Sequence, residues 1–420
     1  MKKFKLVPVY LLVFAVALCD ARAESYRTDI NPALLYYQAF ILNSQAFDLN
    51  RNSSQFDYLT TNQWRGKVLP EEFGTAVAGY DNQFALVRHA AHATVPCDWG
   101  IDMSPGPETL LPHLAKCKGL AVAGRFRVMW DLQNGKPDDA RDDLVASFVL
   151  GHNTARDGTL IATLVQIAIE AIDCSTIAEN FGRFSPETLK QLMDGFDAAP
   201  ARTSVAAPIA FEKLYFHDWL VNRIQDLRKQ YPGNDGAVIT NVQSILFMAG
   251  DAEASTNIMR VAAATGGTSE GWLRLLAEMD PWYTRIMTII VLPAGQFEPQ
   301  MKQFQTEVKN SPNPFVNLLF PSLEKCRMKE FRILIQLAMV HAAVEYRLRG
   351  EEGLKSVTDP VMGGSFEFER FKYAGVDRGF KLKSSYDGAG YPLVQIFVEK
   401  DGAAFNTDGP KAGQASTPPQ

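Results

Sequence analysis

A mainly α fold, an irregular α-solenoid-like array of antiparallel helical hairpins closed by a small C-terminal antiparallel β-meander, is what this 420-residue sequence predicts. Three observations predict it. Apolar residues recur at helical spacing through three long runs between Pro107 and Ala199. Those runs are joined by short breaks at Asn134-Gly135 and Asp157-Gly158, which sets neighbouring helices antiparallel. After Thr358-Asp359-Pro360 the period changes toward two, with aromatic residues between Gly-rich turns.

The first run starts at Pro107, whose missing N–H suits a helix start, and carries Leu110, Leu111, Leu114, Leu120, Phe126 and Met129. Pro137-Asp138-Asp139 opens the second, placing acids where the helix dipole favours them, with Ala140, Leu144, Phe148 and Val149 in one stripe. The third, Leu160 to Ile177, is apolar on nearly every side and must be covered by neighbours, so the three are expected as an up-and-down layer with the third at its centre.

At the N-terminus, Lys2, Lys3 and Lys5 precede an apolar run from Leu6 to Leu18 and a small-x-small site at Ala21-Arg22-Ala23. This is the pattern of a secretory signal peptide over residues 1–23, cut after Ala23. Cys19 offers a lipoprotein form, which bulky Leu18 disfavours. The expected location is periplasmic or extracellular. No later run approaches the roughly twenty residues of a membrane span, Phe331 to Val344 coming nearest, so no transmembrane segment is expected after cleavage. Losing four basic residues and one acid with the leader moves the formal charge from −5 to about −8, against nucleic acid and anionic membranes as partners.

The remaining chain divides into a helical-hairpin region, 24–357, a β-meander, 358–401, and a Gly/Pro/Ser/Gln-rich tail, 402–420, expected to be disordered. Within the helical region, Asn31-Pro32 starts a helix to about Phe47, and another is expected from Glu71 to Ala93. Ser185-Pro186 and Thr268 or Ser269 are further starts, and Ala206 to Tyr231 forms a long helix. Asn52-Ser53-Ser54 fits a glycosylation sequon. No 34-residue period sustains a tetratricopeptide array.

Four places could hold chemistry. His89 and His92 share a helix face with Asp98 and Asp102 close behind, a set able to hold zinc, although a third fixed ligand and the glutamate of a zincin motif are missing. Cys97 and Cys117 could close a disulfide onto the first long helix, or remain buried small residues. The run Cys97-Asp98-Trp99-Gly100 could instead be a clasp, Trp99 filling a gap while Asp98 caps a turn. Glu170, with Gln166 one turn earlier in the most apolar helix, is a general acid or base, or meets Arg125 or Arg127; His152, Arg156 and Asp157 lie at the nearby helix end. No Gly-x-Ser-x-Gly elbow, phosphate-binding Gly loop or paired Cys-x-x-Cys set is present, and no cofactor is expected.

Cys97-Asp98-Trp99-Gly100, Gly106-Pro107, Leu111-Pro112-His113-Leu114, Asp157-Gly158-Thr159-Leu160 and Asp359-Pro360 together resemble a family of uncharacterised exported helical proteins of bacteria, which implies a fold and no activity. The end of the chain, a long helix, Asp-Pro, a Gly and an aromatic strand pair, is similar to the C-terminal half of type II secretion major pseudopilins. It lacks their N-terminal methylation segment and their acidic calcium loop near Asp387-Gly388. The sequence therefore favours a non-catalytic exported scaffold that binds an envelope protein, peptide or polymer. Its alternatives are an extracytoplasmic hydrolase, metal-assisted through His89 and His92 or using Glu170 with His152, and an accessory component of a secretion or pilus-like system.

Overall fold

The computed structural model describes residues 26–42, 69, 71–248, 260–320, 323–373, 375–388, 390 and 392–400. The expected signal peptide, the sequon at Asn52 and the tail from 402 lie outside the described residues.

Helix starts follow the capping residues. Asn31 Oδ1 accepts from Ala33 N at 3.1 Å ahead of α1 (Pro32–Ile41). The single helix expected from Glu71 is two, α2 (Glu71–Ala78) and α3 (Asp81–Ala91), because Gly79-Tyr80 makes a turn and Asp81 restarts the helix with an acid in its first turn. The first long run also differs from expectation. Gly106–Glu108 is one 3₁₀ turn, and α4 (Pro112–Gln133) begins only at the second proline. A residue before proline is pushed out of the α region, and Leu111 sits at φ −117°, ψ 66°, so the helix cannot run through it. Leu110, expected in the buried stripe, is instead 82% exposed.

Then come α5 (Pro137–Thr154) and α6 (Leu160–Glu179), the latter capped by Thr159, whose hydroxyl accepts from Ala162 N at 3.2 Å. Ser185 caps α7 (Pro186–Asp197) in the same way. The run from Ala206 is helical throughout, α8 (Ala207–Glu212) passing through a π-helical turn, Lys213–Asp218, into α9 (Trp219–Gln230). There follow α10 (Asp235–Met248), α11 (Ser269–Ala277) behind its Thr268 cap, α12 (Asp280–Ile289) and α13 (Ala294–Asn310). The helical part ends with α14 (Pro314–Leu319), α15 (Leu323–Arg349) and α16 (Glu351–Ser356).

Helices α4, α5 and α6, expected as an up-and-down layer with the third at its centre, pack on one another in all three pairs. Their centre is α6, which also meets α8, α15 and the sheet. It serves two cores: Ile169 belongs to an N-terminal cluster with Tyr36, Phe84, Trp99 and Phe126, while Ile167, Cys174 and Ile177 belong to a larger one that runs on to the C-terminal sheet. This explains a helix with apolar residues on nearly every side. By length and composition α6, not the stretch from Phe331 to Val344, comes nearest to a membrane span among the described residues, and in the fold it lies at the heart of the bundle.

The meander is present as β1 (Glu367–Tyr373), β2 (Val376–Lys383) and β3 (Val394–Val398), antiparallel in that order. Its inner face is aromatic: Phe380 lies opposite Phe397 with ring centroids 5.1 Å apart, and Phe368 stacks on Phe380 at 5.2 Å. Phe181, just beyond α6, packs edge-on to Phe397 at 5.3 Å. Asp359 fixes the entry to this region, accepting from Val361 N, Met362 N and the Ser384 hydroxyl. At Gly182 an added Cβ would sit 2.0 Å from the Glu399 carbonyl oxygen, so only glycine lets the end of α6 and the end of the sheet approach this closely.

The sheet is thus continuous with the helical core. Phe380→Ala is expected to lower unfolding stability by about 3–5 kcal/mol in urea titrations. Removal of residues 359–420 is expected to abolish the cooperative transition and not to release a folded helical domain.

Candidate functional site

Sequence reasoning pairs Glu170 with His152, and the fold brings them together. On α6 the polar residues Gln166, Glu170 and Asp173 follow at four and three residues, which puts them on one face, toward α5 and the segment 198–205. His152, in the last turn of α5, places Nε2 at 3.1 Å from Glu170 Oε1, and its Nδ1 is 2.6 Å from the Pro200 carbonyl oxygen. A carbonyl only accepts, so Nδ1 carries a proton and Nε2 is the nitrogen offered to Glu170.

The partners expected for Glu170 were Arg125 or Arg127, and neither reaches it. Arg125 donates to Glu179 at 2.7 Å; Arg127 donates to Asp143 at 2.8 Å and to Asp81 at 2.6 Å. The partner is Arg202, whose Nε lies 2.9 Å from Oε1 and whose Nη2 lies 3.2 Å from Oε2. The same guanidinium donates from Nη1 to Glu330 of α15 at 2.8 Å. Glu330 also accepts from Val205 N at 2.9 Å and pairs with Arg327, and the Gln166 side chain bonds both N–H and C=O of Thr203. Arg202 and Glu330 were missed because nothing local marks them. Arg202 sits in a polar loop without periodicity, and Glu330 looks like any charged residue of a long helix. Glu170 is wholly buried, His152 is 5% exposed, and both Glu170 oxygens are occupied by the chain's own donors.

Asp173, one turn along α6, is a second buried carboxyl that sequence reasoning overlooked. Its one hydrogen bond is from the Ser147 hydroxyl to Oδ1 at 2.9 Å, and Oδ2 has no partner. Burial pushes its pKa well above the usual carboxylate range, the Ser147 bond opposes this, and the charge of Glu170 adds to it.

The expected metal set is not assembled. His89 and His92 both stack on Tyr26, with centroids 5.0 and 4.8 Å away, and His89 Nε2 bonds the Arg27 carbonyl at 2.8 Å. Asp98 Oδ1 accepts from Gly100 N at 2.9 Å, and Asp102 accepts from the N–H and hydroxyl of Ser104, bonds that hold its pKa low. These two acids therefore close turns facing their own loop. Among the described residues no three His, Cys, Asp or Glu side chains are arranged to hold a metal ion. Of the residues at that helix end, His152 and Arg156 bond the adjacent carbonyls of Pro200 and Ala201, whereas Asp157 comes within 3.2 Å of buried His113, without the geometry of a hydrogen bond.

The clasp expected at Cys97–Gly100 is formed. Trp99 is buried, stacks on His113 at 4.4 Å and donates its indole N–H to the Asn153 carbonyl at 2.8 Å. The disulfide is not formed: Cys97 and Cys117 are free, buried thiols. Each sulfur has a separate neighbour, the backbone N–H of Ala33 for Cys97 and the Thr154 hydroxyl for Cys117. Burial pushes both thiols up to about 12, which leaves them protonated and unreactive.

Two smaller clefts of ≈ 420 Å³ each lie beside Trp219 and beside Tyr231, and an open cleft of ≈ 840 Å³ lies between α3, α5, α7 and the segment at Tyr26–Thr28. Small side chains, among them Ala146, Val149, Ala198 and Ala199, line its apolar part. Tyr26 and His92 form one end, and Arg88, Asp139, Arg141, Asp142 and Gln191 are its polar members. The fold builds it through Arg88, which is anchored to buried Asp143 at 2.6 Å and to the Asp139 carbonyl at 3.1 Å. The extended segment before α1 is tied down by Thr94 N, which donates to the Thr28 carbonyl at 2.8 Å. No motif predicts this cleft, because its walls come from four separate stretches of sequence.

Asp173 yields a pH prediction. The folded state keeps a proton that the unfolded chain releases above about pH 4, so the acid costs stability as pH rises from there toward its folded pKa. Relative to the parent, Asp173→Asn should gain stability as pH rises from about 4 toward the folded pKa of Asp173, by up to about 1.4 kcal/mol per pH unit, in urea titrations at each pH. A constant difference would contradict the assignment. Glu170→Ala, which leaves Arg202 with Glu330 alone and removes the carboxylate that His152 faces, should lose about 3–5 kcal/mol in the same measurement. Comparisons with protein-family models, with curated proteins and with solved structures gave no match, so geometry alone carries the functional reading.

Proposed function

We propose that this chain is a non-catalytic, exported helical scaffold of the bacterial cell envelope that binds its ligand in the cleft between α3, α5 and α7. The observation that carries the reading is a contrast. The chain's best acid–base pair, Glu170 with His152, is buried and saturated by Arg202, whereas the cleft of ≈ 840 Å³ is open and lies in the size range of ligand sites, about 300–1,000 Å³. A general base needs a proton to abstract within hydrogen-bond reach, and around Glu170 that space is filled by the protein's own donors. Export rests on the basic, apolar and small-residue order of Met1 to Ala23. The secretion-accessory reading finds less support, since the aromatic face that suggested it is spent on the internal core.

Crosslinking of the mature chain in its native envelope tests the proposal, comparing the parent with Ala199→Trp, which fills the cleft from its half-buried edge. A partner or polymer recovered with the parent and lost with the filled variant, at unchanged melting temperature, is the expected result. Recovery that ignores the filling would exclude the cleft as the site. Turnover of an envelope substrate that stops in a folded Glu170→Gln variant would overturn the non-catalytic reading.

A further inference from the structure

We infer that His152 is a proton-operated latch on the side wall of the cleft, an inference that rests on the binding reading above and names the regulation of that site.

The ring faces two acceptors. Its Nδ1 lies 2.6 Å from the Pro200 carbonyl oxygen and its Nε2 lies 3.1 Å from Glu170 Oε1. A carbonyl oxygen has no proton to give, and Arg202 donates to both oxygens of Glu170, so neither of those carries one either. A neutral imidazole has one donor and one acceptor. Both contacts are hydrogen bonds only while the ring is an imidazolium.

The charges around the ring make its second proton the one that leaves. Helix α6 presents Glu170, with Asp173 one turn on, and the segment 198–205 presents Arg202. Behind Arg202, α15 contributes Glu330 and Arg327. The turn after α5 carries Arg156, which donates to the Ala201 carbonyl at 3.2 Å, and α7 reaches the ring's neighbour Phe148 with Phe196. Arg202 and Arg327 already offset Glu170 and Glu330, and a guanidinium does not give up its charge. His152 is therefore the surplus cation of the network, and imidazole is the side chain whose charge changes between about pH 5 and 8.

Losing that proton has a directed result. One proton then serves two acceptors, and because a bond to a carboxylate is roughly twice as strong as one to a carbonyl, it stays on Nε2. Nδ1 turns a lone pair toward the Pro200 carbonyl, and that tie breaks. Ala198 and Ala199, which line the cleft, immediately precede Pro200, and their amides are held at the end of α7 by the Asp194 and Phe196 carbonyls. Beyond Pro200 the chain stays anchored through Arg156, Arg202 and Thr203. The latch is closed at low pH, and its opening on raising the pH is confined to the cleft wall.

The experiment follows the nitrogen-15-labelled imidazole and the amide exchange of the purified mature chain by NMR. The expected result is a His152 ring protonated on both nitrogens at about pH 5.5 and on Nε2 alone at about pH 8.5. Exchange protection of Ala198 and Ala199 should fall about fivefold between the two, the loss of one ordinary hydrogen bond, while that of Phe126 in α4 is unchanged. Asp173→Asn, which removes the other buried carboxyl on this face, should leave both changes in place. Glu170→Gln should remove them, since its amide can donate to Nε2 and a neutral ring then keeps its Nδ1 proton on Pro200. Should that variant not fold, the ring and the protection of the parent decide alone. A ring with one proton throughout, or a ring that titrates while Ala198 and Ala199 keep their protection, overturns the latch. Cleft-dependent envelope recovery that falls from the lower to the higher pH supports the regulation. Equal recovery at both overturns it and leaves the binding reading standing, whereas no cleft-dependent recovery at either removes the two together.

Discussion

The fork of Arg202 on Glu170 is the interaction on which the arrangement of the molecule depends. One guanidinium bonds a carboxylate of α6 and a carboxylate of α15, while the loop that carries it is stitched to α5 through the Pro200 carbonyl and to α6 through Thr203. Two consecutive helices, α5 and α6, and a third far along the chain, α15, are thereby set against one segment. That segment also positions Ala198 and Ala199, which form one side of the open cleft. The sealed pair and the exposed cleft are two consequences of one anchor.

Burying such a network is favourable only if it is complete. Taking ions out of water costs several kcal/mol each, and their attraction offsets this when lone pairs and protons are all matched. The carboxylate oxygens of Glu170 and Glu330 are matched by Arg202, His152, Gln166, Arg327 and a backbone N–H, and Arg327 Nε is left without a partner. The same holds for Asp143, fully buried between Arg88 and Arg127 at the other end of α5. Two saturated networks therefore brace α5 near both of its ends. Between them, Asp173 has only the Ser147 hydroxyl, and its pKa rises accordingly. On a single face of α6, the number of donors available separates a carboxylate gripped by a guanidinium from a carboxyl that keeps its proton.

What could be read from the sequence was local. Capping residues Asn31, Ser185 and Thr268 mark helix starts because their hydrogen bonds reach only two or three residues on. The clasp at Trp99 and the meander after Asp359 were legible for the same reason, as turn chemistry beside apolar residues. The misreadings at Gly79 and Pro112 came from letting apolar periodicity override backbone preference: a glycine and a pre-proline residue each interrupt a stripe that otherwise looks continuous. Glu170 and His152 could be paired because they lie on consecutive hairpin helices. Arg202 and Glu330 could not, since loop closure over long separations leaves no periodic trace.

The position of α6 also explains why the C-terminal sheet cannot be treated as an appended module. A helix of mean hydropathy 1.6 needs apolar cover on all sides, and α4 and α5 supply it on only part of the circumference. The rest comes from α8, α15 and β3, with Phe181 extending the contact to Phe380 and Phe397. Without the sheet the most apolar long helix among the described residues would lose its cover along its C-terminal half. The chain's last strand is therefore part of the burial of its central helix.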